Sequence, residues 1–233
     1  MDRRPPAPRG AAVGRLTARP ATDPARGTRP CGLMSLDQPG QRTSLLLVPA
    51  DYDPRTPAPL AVLFHGGAGT AAQGLGLLQS HADTHAMLLL AVSARDQTWD
   101  LLLAGYGPDV AVLDQALAHV FARYAIDPAR IAVGGFSDGA SYALSIGLGN
   151  GDLFTHILAF SPGFMAPGSL HGAPQIFLTH GIDDQVLPIT RCSRRIAYWL
   201  RQRRYAVTYL EFAGPHAAPE ALRSAAADWF LGR

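Results

Sequence analysis

The sequence predicts an α/β protein with a mostly parallel central sheet, helices on both faces and no large lid domain. Three observations carry this expectation. Short apolar runs alternate with helical periodicities from residue 44 onward. One run leads through a Gly-x-Ser-x-Gly turn into a helical pattern. Polar candidates for chemistry stand directly after later runs, the edge where open α/β sheets gather their sites.

Taken in order, residues 1–30 hold seven Arg against Asp2 and Asp23, six Pro and no sustained period. Residues 1–35 are therefore expected to be a flexible or extended Pro/Arg-rich segment, with residues 36–233 forming one domain. The strand-like runs are Ser44 to Val48, Leu60 to His65, Met87 to Ser93, Ile131 to Gly135, His156 to Phe160, Gln175 to His180 and Val207 to Phe212. The first, reached through Pro-rich turns, is expected either in the parallel array or antiparallel at the sheet edge. Val110, Leu113, Leu117, Val120, Phe121 and Tyr124 recur at helical spacing, as do Ile189, Cys192, Ile196, Trp199 and Leu200. The arginines interleaved with the second set read as a solvated face. A last helix carries Leu222, Ala226, Trp229 and Phe230.

Composition narrows the function. With 233 residues, 48% hydrophobic and 16% charged, the chain can bury roughly 70–75% of its unfolded surface without disulfides or a structural metal. Cys31 and Cys192 lack CxxC spacing or a nearby His-x-His pattern, which argues against a zinc finger, an iron–sulfur site or a disulfide scaffold. All 20 basic residues are Arg, so a Walker-type lysine, a Schiff-base lysine and a lysine base are excluded. The basic arm has no interleaved aromatic residues and is not read as a nucleic-acid site. No stretch reaches the ~18 apolar residues of a membrane span, and the N-terminus lacks the apolar core of a secretory signal. A cytoplasmic protein, monomeric or homodimeric, is expected, with no membrane insertion.

The chemistry centres on Gly135-Phe136-Ser137-Asp138-Gly139. A serine on a sharp strand-to-helix turn projects its hydroxyl at the sheet's tip, and flanking glycines let strand and helix approach closely. Such a nucleophile needs a base and a group to orient the base, following later strands in the order acid, then histidine. Gly181-Ile182-Asp183-Asp184 offers two acids, and Gly214-Pro215-His216 supplies the only histidine after the last strand. His65 and His180 precede Gly at strand ends, where an imidazole more often braces a loop than exchanges protons. Oxyanion donors would be the backbone N–H groups of Gly67, in the Gly-rich loop after Leu60 to His65, and of Asp138.

With these segments in view, the chain resembles the α/β-hydrolase superfamily over roughly residues 40–233, and within it the phospholipase/carboxylesterase group near the polyhydroxybutyrate-depolymerase-like esterases. Leu63-Phe64-His65-Gly66-Gly67, Gly135 to Ala140, His180 to Pro188 and Gly214-Pro215-His216 carry the resemblance. It implies Ser137 as nucleophile, His216 as base and Asp184, fifth in the His-Gly-x-x-Asp segment, as the acid.

Trp99, Phe164 and Met165 follow strands at the same edge and are the candidates for substrate binding, with core packing as the alternative. The span from Ser161 to Pro174 is too short for a helical lid, so small, short-chain esters are expected. No residue set suggests a metal, and the chemistry needs no cofactor. The same machinery would serve a thioesterase or lysophospholipase, and a hydrolase fold can also bind a ligand without turnover.

Overall fold

The computed structural model describes residues 14–21, 30–36 and 42–233. Its strands are β1 (Gly32–Leu36), β2 (Ser44–Val48), β3 (Ala58–Phe64), β4 (Leu88–Val92), β5 (Ile126–Phe136), β6 (His156–Phe160), β7 (Gln175–Gly181) and β8 (Val207–Phe212). The helices are α1 (Ala71–Leu75), α2 (Asp100–Leu103), α3 (Pro108–Arg123), α4 (Asp138–Gly149), α5 (Ser193–Gln202) and α6 (Glu220–Leu231).

The strands form one sheet in the order β1-β2-β4-β3-β5-β6-β7-β8. From β4 to β8 every pairing is parallel, whereas β2 runs antiparallel to both β1 and β4. After β3 the chain steps to β4 on one side and then to β5 on the other. That reversal opens a crevice at the carboxyl ends of β3 and β5.

Strand residues alternate between two cores. Leu60, Val62, Leu88, Leu90, Ile131, Val133, Ile157 and Leu178 pack with α3, α4 and α5 on one face. Ala61, Leu63, Leu89, Ala91, Ala132, Leu158 and Phe177 pack with α1 and α6 on the other. Both faces are covered, as buried parallel strands require, which is why these strands read as continuous apolar runs.

Three expectations are corrected. Gly32–Leu36, inside the segment set apart as 1–35, is a strand of the sheet, so the domain reaches back before residue 36. Because β1 lies outside it, β2 is antiparallel but is not the edge. The α5 helix begins at Ser193, and Ile189 and Cys192 occupy the turn before it, where the Cys192 N–H bonds to the Pro188 carbonyl. Met1 to Val13 and residues 22–29 of the arm lie outside the described residues.

Residues 15–20 have no regular secondary structure, yet they are docked. Leu16 is 2% exposed in the core beside α3 and α4. Asn150, fully buried, accepts from the Leu16 N–H at 2.9 Å and donates to the Gly14 carbonyl at 2.8 Å. Arg15 grips both carboxylate oxygens of Asp152 at 2.9 Å, and Arg19 adds a third contact. Two apolar residues, Leu16 and Ala18, and a set of directed polar bonds thus hold a segment whose composition looks unstructured.

Asn150→Ala leaves the buried Leu16 N–H and Gly14 carbonyl without partners. It should cost about 2 kcal/mol and lower Tm by roughly 4–8 °C. Calorimetry checks this, and an unchanged Tm would show that the strap is held elsewhere.

Candidate active site

Ser137 stands between β5 and α4 at φ 57° and ψ −120°. This is left-handed backbone space that a side chain disfavours, and the surroundings enforce it. The Ser137 N–H donates to the Phe160 carbonyl at 2.9 Å, while its own carbonyl accepts from the Ala140 and Ser141 N–H groups at 3.0 Å. The glycines flanking it permit close backbone crossings. A Cβ on Gly135 would sit 2.6 Å from the Gly139 carbonyl, and one on Gly139 would overlap the carbonyl oxygens of Phe64 and His65.

The half-buried Ser137 Oγ lies 2.8 Å from His216 Nε2, and His216 Nδ1 lies 2.6 Å from Asp184 Oδ2. Of the adjacent acids, Asp184 makes this contact. Asp183 is exposed and ties its backbone N–H to the Gly214 carbonyl at 3.0 Å. Together with the bond from the Ile182 N–H to the Phe212 carbonyl, this laces the acid loop to the histidine loop. Gly181 lets them touch, since a Cβ there would overlap the Gly214 and Pro215 carbonyls. Ser161 Oγ donates to the Ala217 carbonyl at 3.0 Å, joining the end of β6 to the same loop. The His216 ring rests on Phe136, centroids 4.7 Å apart.

The Asp184 side chain is fully buried. Burial alone would raise its pKa, but N–H bonds from Leu187 at 2.7 Å and Val186 at 2.9 Å, with His216 opposite, outweigh it and lower the pKa. The acid is held ionised beside the imidazole.

His180 is a brace that its position suggested. Its Nδ1 accepts from Ser193 Oγ at 2.6 Å, and its Nε2–H points to the Leu187 carbonyl at 2.8 Å and to Asp184 Oδ2 at 3.0 Å. Burial lowers its pKa, so the ring is neutral and fixed in this tautomer. His65 does the same across the crevice. Nδ1–H donates to the Gly66 carbonyl at 2.7 Å, Nε2 accepts from the Ala94 N–H at 3.0 Å, and burial again lowers the pKa.

The loop after β3 passes beside the serine, with the Cβ direction of Gly66 leading to Ser137 Cβ at 3.5 Å. Among the described residues neither the Gly67 nor the Asp138 N–H has a hydrogen-bond acceptor, as groups reserved for a ligand oxygen require. Two further residues shape this loop. Arg42 donates to the Gly69 carbonyl at 2.7 Å and the Asp96 carbonyl at 2.9 Å. Thr98 Oγ1 donates to Asp138 Oδ2 at 2.8 Å, drawing that carboxylate aside. Nothing local in the sequence signals either contact, because each joins segments far apart in the chain.

Trp99 is corrected as a substrate-binding candidate. It is fully buried, stacked on Tyr142 at 4.6 Å and packed on Phe64 at 4.7 Å, with Nε1 donating to the His65 carbonyl at 3.0 Å. No face of it remains for a ligand. Phe164, 37% exposed, and Met165 do line a surface groove. Their segment, residues 161–174, is tied down to α4 by Ser141 Oγ, which accepts from the Gly163 N–H, and Ser145 Oγ, which accepts from the Ala166 N–H, both at 2.9 Å.

Comparison with known proteins agrees with this architecture. Residues 111–224 match the model of the phospholipase/carboxylesterase family. Esterase PE8 superposes with a TM-score of 0.67 at 24% identity, covering 80% of this chain and 96% of its own. S-formylglutathione hydrolase (FrmB) of Staphylococcus aureus gives 0.69 at 12% identity, covering 85% and 97%. The butyrate-bound esterase Est2 of Thermogutta terrifontis gives 0.65 at 17% identity, covering 82% and 88%. No curated protein sequence matches the chain.

Strain at residue 137 is testable without an assay. Glycine adopts this conformation freely, so Ser137→Gly should be more stable than Ser137→Ala by about 1 kcal/mol, the ~1–3 kcal/mol of strain exceeding glycine's entropic disadvantage. Tm values differing in that order support the reading, and the reverse order would show an unstrained turn.

Proposed function

We propose that this chain, an α/β-hydrolase-fold protein, is a serine hydrolase of carboxylic esters. The observation that carries the proposal is the hydrogen-bonded series Ser137–His216–Asp184, assembled on a strained turn beside two unoccupied N–H donors. A chain of contacts from a hydroxyl to an imidazole to a buried, ionised carboxylate activates an oxygen nucleophile at neutral pH.

In the reaction, His216 Nε2 takes the Ser137 proton as Oγ bonds to the acyl carbon. Asp184 stabilises the resulting imidazolium and keeps its Nδ1–H pointed inward. The carbonyl electrons move onto oxygen, where the Gly67 and Asp138 N–H groups and the N-terminus of α4 stabilise the anion. Collapse expels the alkoxide, which receives the proton from His216. Water, deprotonated by the same nitrogen, then attacks the acyl-enzyme, and a second tetrahedral collapse restores Ser137 and releases the acid. Every group needed belongs to the chain.

Short acyl chains are the favoured substrates. The Ser161 to Pro174 segment is anchored to α4 and too short for a helical lid, so a chain longer than the pocket would lie partly in water and gain little of the ~0.8 kcal/mol per buried CH₂. A protein of the same fold binds butyrate. Because another is an S-formylglutathione hydrolase, thioesters are the comparison substrates of choice.

Ser137→Ala should reduce ester hydrolysis by about a thousandfold or more with the fold intact. Asp184→Asn should lose far more rate than Asp183→Asn, whose side chain does not meet His216. Steady-state assays decide both, and a Ser137→Ala enzyme retaining a tenth of the native rate would overturn the proposal.

Across 4-nitrophenyl esters, kcat/KM should be highest between acetyl and roughly hexanoyl, with no activation at a lipid interface. A maximum at dodecanoyl or longer would show a covered, longer pocket.

A further inference from the structure

A groove of about 740 Å³ opens between the segment after β6 and helix α5, with Phe164, Met165, Tyr198 and Trp199 supplying apolar walls. Arg191, Arg194 and Arg195 also line it, and no carboxylate is among its lining residues. These arginines are not equivalent. Arg194 is engaged by Glu211, with Nε and Nη2 at 2.8 and 2.7 Å from its two oxygens. Arg191 and Arg195 have no side-chain hydrogen bond or ion pair among the described residues. Arg203, over the Trp199 ring at 3.6 Å, fixes part of the wall without adding a partner for them. A solvated helix face would spread such charges outward, but here they border a concavity that also carries apolar surface.

One end of the groove is formed by a residue that is bonded to the elements carrying the serine site. Gly163 lies against Leu187, whose N–H holds Asp184, and bonds to Ser141, one helical turn after Ser137. The loop that begins at Asp184 ends at Arg191 and Cys192, and the Cys192 thiol is near enough to Asp184 to feel its charge.

We infer that the groove selects esters bearing a carboxylate remote from the scissile bond, with Arg191 and Arg195 pairing that carboxylate and the apolar walls holding the intervening chain. The guanidinium fork suits a carboxylate in geometry and charge. The inference rests on the esterase reading of Ser137 and names the substrate class of that site. It also accounts for a groove unsuited to long neutral acyl chains, which would strip water from two unpaired cations.

The test compares kcat/KM for 4-nitrophenyl butyrate with that for mono-4-nitrophenyl esters of the dicarboxylic acids from succinate to suberate. Butyrate esters of hydroxy acids, followed by pH-stat, place the charge on the leaving group instead. One of the two anionic series should exceed its neutral counterpart, which identifies the side of the ester the groove receives. Arg191→Ala/Arg195→Ala should lower that series by roughly tenfold or more while leaving the neutral butyrate within about twofold. Arg201→Ala removes the same charge from α5 outside the groove and should leave the ratio unchanged. Normal turnover of neutral esters with no anionic preference, or with a preference indifferent to the double substitution, would overturn this inference alone. Absence of hydrolysis of every ester would overturn the esterase reading and the inference together.

Discussion

A close crossing of backbones governs the site. Gly139, in the first turn of α4, lies directly against the carbonyl oxygens of Phe64 and His65 at the end of β3, and Gly135 crosses Gly139 in turn. Without a Cβ at either position the helix starts where the strand stops, and Ser137 between them has no room for ordinary extended or helical backbone. The strained φ of the serine, the proximity of the Gly66–Gly69 loop to it and the free N–H of Asp138 all follow from that crossing. A single methyl group at residue 139 would separate β3 from α4 and dissolve the geometry on both sides of the crevice.

Around this crossing the polar groups are ordered by burial. His65 and His180 are both kept neutral, and each spans two loops with a defined donor and a defined acceptor. His216, which shares its residue type with them, differs by position: its ring is partly exposed at the crevice and meets the Ser137 hydroxyl there, whereas the hydroxyl and carboxylate that His180 meets are reached by a fully buried ring. The roles of three imidazoles are thus separated by what surrounds each ring. Asp184 completes the division, since its four contacts leave it no freedom to turn away from His216.

Much of this was legible in the sequence because buried parallel strands are uninterrupted apolar runs. Ser44–Val48, His156–Phe160 and Val207–Phe212 are strands with the expected limits. Gly32–Leu36 escaped notice because its alternate residues are exposed, Leu33 by 56%, and only pairing with β2 makes it a strand. Helix α1 did leave a local sign in the Thr70 and Gln73 capping box. For the site, strand ends marked Ser137, Asp184 and His216, whose contacts lie along one sheet edge. The same rule misled at Trp99, for being near a strand end does not tell core from cleft. What decided it was Tyr142 and Phe64, brought in by other elements. Arg42 and Thr98 were invisible for the same reason.

The strap at residues 14–21 reverses the usual relation between synthesis and assembly. Its anchor, Asn150, is separated from Leu16 by 134 positions, and Asp152 comes later still. While the ribosome is making the first half of the chain, the strap can meet Asp114 of α3 but not the residues that grip Leu16 and Arg15, although domains generally begin folding from the N-terminus. Made before the residues that hold it, it is among the last to settle, so its docking reports that α4 and the turn after it are already in place. Until then Leu16 stays accessible to chaperones and proteases, which gives a nascent, unfinished molecule a different fate from a completed one.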